Sequence, residues 1–92
     1  MKTSARDLAK KLGVSRVRGL QAVMKADLLD AVLKTIAKKG LTHAEVARVS
    51  GLPRSAVTGI LSGSLQRVTL DRVLRLVEAV GLTADVRVRE AA

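Results

Sequence analysis

Ninety-two residues, 48% hydrophobic, without aromatic residues or cysteine, make one small domain with an aliphatic core and no disulfide or thiolate metal site. That length leaves no room for a deep substrate cavity, no apolar run approaches the ~18 residues of a membrane span, and Met1-Lys2-Thr3-Ser4 does not begin a secretory leader, so a cytoplasmic protein is expected. A net charge of +9 favours a polyanionic partner, nucleic acid ahead of an anionic membrane.

In chain order, the spacing predicts a short helix over residues 4–12, with Ser4 as N-cap, Asp7 in the first turn and Gly13 after its end. Ser15 offers another cap. A longer helix is expected over residues 16–39, with an interruption open near Gly19 or Lys25. Leu28, Leu29, Val32, Leu33 and Ile36 share its apolar face. Lys34, Lys38 and Lys39 suit the negative end of its dipole, and Gly40 stops it. Thr42 then caps a helix, with Glu45 at capping-box spacing, Val46, Ala47 and Val49 as apolar residues and Gly51 at its end. Pro53 opens the next helix, where its missing N–H costs nothing. Val57, Ile60 and Leu61 form the inward side of that helix, and Ser62-Gly63-Ser64 reads as a turn. Thr69 caps a further helix with Asp71 in its first turn, Val73, Leu74, Leu76, Val77 and Val80 as its stripe, and Gly81 after it. Residues 84–89 alternate small or apolar with charged, the period of a half-buried strand. A lone strand cannot satisfy its ladder hydrogen bonds within one chain. Antiparallel pairing with a second copy, through Val86 and Val88, is the simplest closed solution.

Residues 41–63 carry the informative pattern. Two short helices joined by a glycine-containing turn can cross steeply. Ala47 is small where their backbones approach, Gly51 permits the turn, and Leu52 and Val57 are spaced to plug the angle. The outward side of the second helix carries Arg54, Ser55, Thr58, Gly59 and, further on, Ser62. Such a helix can enter a major groove, where Arg pairs with guanine and Ser or Thr make permissive contacts. Free N–H groups at both helix starts can bind phosphates. The absence of aromatic stacking platforms favours duplex over single-stranded nucleic acid.

The run GLTHAEVARVSGLPRSAVTGILSGS over residues 40–64, followed by VTLDRVLRLVEAVGL, resembles the Cro/cI-type (Xre) helix-turn-helix family over about residues 28–80. With the C-terminal DVRVR, the chain is also similar to small HigA-type antitoxins. The resemblance implies dimerisation, repression of the protein's own operon and a partner toxin. By position it implies groove-facing Arg54, Ser55, Thr58 and Gly59, with phosphate contacts near His43, Ser62 and Ser64. Where the family commonly has Gln, this chain has His43. A neutral imidazole is expected either to brace a recognition-helix side chain or to donate to phosphate, one at a time.

Other readings of the same residues are purely structural. Thr42 and Glu45 serve as a helix cap, residues 62–64 as a turn, and Arg67, Arg72 and Arg75 as solvated cations. Arg54 sits in a first turn, where the dipole disfavours a cation, which suggests a reason beyond stability. Leu8-Ala9, Gly13-Val14-Ser15 echoes Val46-Ala47, Gly51-Leu52-Pro53, but Gly19 stands where the plug Val57 would be, so a basic arm is preferred to a second motif. Residues 1–39 hold +7 of the charge and residues 40–92 only +2.

The expected architecture is all-α. A basic helical extension (1–23) leads into a compact helix-turn-helix bundle (24–82), followed by a C-terminal strand and tail (83–92) that pairs across a homodimer. The expected function is a sequence-specific, duplex-DNA-binding repressor, an antitoxin by resemblance, with a sequence-independent nucleoid protein as the alternative. No cofactor, membrane partner or enzymatic activity is expected. The acids Asp7, Asp27, Asp30, Glu45, Asp71, Glu78, Asp85 and Glu90 show no convergent pair.

Overall fold

The computed structural model describes residues 16–90, which contain four helices. Helix α1 spans Arg16–Lys39, 24 residues and about 36 Å long. It runs unbroken through Gly19 and Lys25. One interior glycine costs a helix only about 1 kcal/mol, too little to divide one whose far half is anchored in the core. That half buries Leu29 and Val32, with Leu28 and Ile36 packed alongside. Gly40, at φ +64°, ends the helix, and the Leu41 N–H donates back to the Ile36 carbonyl at 3.1 Å. The expected helix at residues 4–12 lies outside the described residues, as does most of the expected N-terminal extension.

Helix α2 (His43–Ser50) begins where the Thr42 hydroxyl accepts from the Glu45 N–H at 3.1 Å and donates to the Glu45 carboxylate at 3.0 Å. Gly51 closes it in the left-handed region at φ +75°, its N–H donating to the Ala47 carbonyl. Ser50 stitches the turn, donating to the Ala47 carbonyl and accepting from the Leu52 N–H. Pro53 caps α3 (Arg54–Leu61). Its locked φ of −58° lies close to a helical value and sets the chain's direction into the first turn. Helix α4 (Leu70–Ala79) starts at Thr69, whose hydroxyl accepts from the Arg72 N–H.

Helix α1 packs mainly on α4, and α2 packs on both α3 and α4. The core they enclose contains Leu29, Val32, Val46, Leu52, Val57, Ile60, Leu61, Val73, Leu76, Val77 and Val80, with no buried polar residue among the described ones. Three expected core residues lie outside it: Leu33, Val49 and Leu74 are exposed. Leu74 follows Val73 by about 100° of helix rotation, which carries it off the face shared by Val73, Leu76, Val77 and Val80.

The expected C-terminal strand is absent from the single chain. Residues 82–90 form no regular element, and Val86 and Val88 are 76% and 91% exposed. The cause is the one that made a lone strand costly: nothing among the described residues offers the segment a hydrogen-bonding edge.

Candidate nucleic-acid interface

Helix α3 is two-faced. Val57, Ile60 and Leu61 are buried, while Arg54, Ser55 and Thr58 stand exposed on the other side. The i, i+3, i+4 spacing of the three apolar residues fixes this rotation and drives it by burial. Val57, fully buried, and Leu52, 8% exposed, both belong to the core cluster. Gly59 is half-buried, and a methyl added there would meet nothing within 4 Å, so its backbone is open to approach from outside.

The start of α3 carries no side-chain cap and no acidic residue in its first turn. Its first N–H groups therefore keep their capacity for an anion. Arg54 stands in that turn, exposed and without an acidic partner among the described residues. The ion pairs among those residues lie elsewhere, Lys34–Asp30 on α1 and Arg75–Asp71 on α4, both exposed and one helical turn apart. Such pairs add little to stability.

Of the residues singled out in the sequence, the structure brings His43 and Thr58 together directly. His43 Nδ1 lies 3.0 Å from Thr58 Oγ1, linking the first residue of α2 to the outer face of α3. This changes the expectation that a neutral imidazole can only brace or donate. If Nδ1 accepts from Thr58, the proton resides on Nε2, which remains able to donate to a phosphate. Ser62 is exposed at the end of α3, and its hydroxyl donates to the Gly59 carbonyl at 2.7 Å, so it faces outward as an acceptor until it rotates. The Ser64 N–H closes the turn, donating to the same carbonyl at 3.3 Å. Val86 and Val88 lie in the exposed C-terminal segment and join none of these residues.

A second feature escaped the sequence. An open groove of about 820 Å³ lies between the first half of α1 and the segment leading into α4. Arg18 and Lys25 line one side and Arg67 the other, with Gln21, Gln66 and Thr69, and no acid lines it among the described residues. The surplus charge of the N-terminal part was legible. That Arg67 faces it was not, because 42 residues separate Arg67 from Lys25 and only the tertiary fold joins them.

Among the described residues no group of His, Asp or Glu is placed to hold a metal ion, and no helix is long and apolar enough to cross a membrane. No curated protein and no solved structure matches the chain. A family model described as a helix-turn-helix domain matches residues 8–89. That range takes in all four described helices and begins upstream of α1. With two short helices packed together across a glycine turn and a polar outer face on the second, the chain belongs to the helix-turn-helix domain family.

Proposed function

We propose that the protein is a sequence-specific regulator of transcription that binds double-stranded DNA through the outer face of α3, acting as a dimeric repressor of its own operon. The observation that carries this reading is the sorting of α3 into a buried Val57, Ile60 and Leu61 side and an exposed Arg54, Ser55 and Thr58 side. Arg54 supplies a bidentate partner for guanine, and Ser55 and Thr58 supply shorter-range contacts. Gly59 lets the backbone come close. His43 and the N–H groups at the starts of α2 and α3 take phosphates, with Ser62 and Ser64 beyond the end of α3. Lys25 and Arg67, on the two sides of the groove, add phosphate contacts without sequence preference. The chain binds rather than catalyses, needs no cofactor, and works in the cytoplasm where its operator lies.

The dimer would form through the C-terminal segments, whose Val86 and Val88 are the most exposed large apolar residues among those described. Selection of bound duplexes from a random pool tests the whole reading. It should return a pseudo-palindrome with half-sites about one helical turn, roughly 34 Å, apart. Enrichment of no sequence would support instead a nucleoid protein binding any duplex, the reading favoured by the basic surplus outside the motif. Similarity to HigA-type antitoxins adds a toxin partner to the proposal. Co-expression with the neighbouring reading frame should then yield a stable complex that relieves that frame's toxicity, and a harmless, non-associating neighbour would remove the antitoxin role.

A further inference from the structure

Helix α1 carries an exposed stripe on the side away from the core. Arg16, Leu20, Val23 and Asp27 follow at intervals of four, three and four residues, so they stand in line along one face. Leu29 and Val32, which hold the helix to the core, lie roughly 180° around it from Leu20 and Val23. Lys25, in the basic groove, is also on the core side, so groove and stripe are separate surfaces. Leu20 and Val23 are 58% and 51% exposed, and Val17 beside them is 66% exposed. Apolar side chains this open gain by burial. Arg16 and Asp27, at the two ends, are exposed, and neither forms an ion pair among the described residues. Asp30, the next acid along α1, is already paired with Lys34.

The order basic, apolar, apolar, acidic is self-complementary when the stripe meets a copy of itself running the other way. A two-fold axis midway between Leu20 and Val23 sets Leu20 of each copy against Val23 of the other. The same axis sets Arg16 of each copy against Asp27 of the other, because both pairs are centred on the same point of the helix. A parallel arrangement would set Arg16 against Arg16 and Asp27 against Asp27. We infer that this face of α1 is a self-association surface, on which two copies pair through antiparallel α1 helices. Two Leu20–Val23 contacts form its middle, and an Arg16–Asp27 ion pair closes each end. The inference does not rest on DNA reading by α3, and the surface is distinct from the C-terminal segment proposed for the dimer. The stripe is short: a stable interface buries about 800 Å² per partner, more than these few side chains supply. The pairing is therefore weak in dilute solution and joins copies that are already held close together.

The test is sedimentation equilibrium of the full chain carrying Val86→Asp and Val88→Asp, which removes association through the C-terminal segment. Between about 10 µM and 1 mM this chain should pass from monomer to dimer. Arg16→Asp or Asp27→Arg alone sets like charges together at both ends and should raise the dissociation constant roughly 5- to 30-fold. Both reversals together should restore it, since the ion pairs reform with their signs exchanged. Leu20→Asp should remove the dimer. These positions are exposed, so melting should stay that of the parent chain. Cross-linking fixes the direction, because the protein has no cysteine of its own. An oxidised equimolar mixture of Leu20→Cys and Val23→Cys chains should form the mixed disulfide ahead of either homodimer. A chain that stays monomeric up to about 1 mM overturns the inference and leaves the face to solvent or to a different partner. A dimer that neither single reversal weakens, or that the double reversal fails to restore, overturns it too. Preferential joining of Leu20→Cys chains to one another contradicts the antiparallel arrangement.

Discussion

A methyl group added at Gly59 meets nothing within 4 Å, whereas one added at Gly81 lies 2.8 Å from the Lys39 ammonium. The two glycines therefore predict opposite outcomes. Gly59→Ala in the interior of α3 should stabilise the free protein by about 0.5–1 kcal/mol in denaturant unfolding. The same change should weaken duplex binding if α3 docks as proposed, because the methyl would stand on the proposed contact surface. Gly81, at φ +85°, should not tolerate alanine: the backbone penalty alone is roughly 1–2 kcal/mol. The added Cβ would also displace Lys39, whose ammonium donates to the Val80 carbonyl at 2.7 Å and ties the end of α1 to the end of α4. Gly40→Ala carries a similar backbone penalty without the clash, so it should cost less. At this scale the chain was readable wherever chemistry is local. Thr42, Gly51, Pro53 and Thr69 act at the helix ends as their types predict. The His43–Thr58 contact was not readable, since its partners are 15 residues apart and meet only once two helices cross.

Helix α4 shows what periodicity decides and where it stops. Val73, Leu76, Val77 and Val80 are buried and Leu74 is 41% exposed, although all five read as one stripe. Leu76→Ala should cost about 2–5 kcal/mol by removing a fully buried side chain. Leu74→Ala should stay within about 0.5 kcal/mol, as surface changes do. Thermal or denaturant unfolding separates the two cases, and equal losses would mean that α4 is rotated. The C-terminal segment marks the opposite limit. Alternation over residues 84–89 describes a ribbon with two faces but supplies no neighbour, and among the described residues no strand forms. Gly19 makes the same point in reverse: a local helix weakener is overridden when the far half of the helix is held by packing.

For the whole molecule, charge and motif occupy different parts of the chain. The motif carries the proposed reading face, while much of the basic surplus lies before residue 40. Affinity and specificity should therefore separate by mutation. Replacing Lys25 and Arg67 in the groove by glutamine should weaken selected and unrelated duplexes alike and lower the salt slope by up to about 0.9 for each phosphate no longer neutralised. Val86→Asp with Val88→Asp should leave the monomer's melting unchanged, since both are exposed, and should abolish the proposed dimer in sedimentation and with it the proposed tight operator binding. Arg54→Ala bears most directly on the proposal that α3 reads bases. Its affinity should be measured on the selected duplex and on a scrambled duplex at one physiological salt concentration. The expected result is a loss of about 1–3 kcal/mol on the selected duplex for each half-site read, with a much smaller loss on the scrambled one. Equal losses on both duplexes would show that Arg54 holds phosphate only and that the outer face of α3 does not read sequence through it.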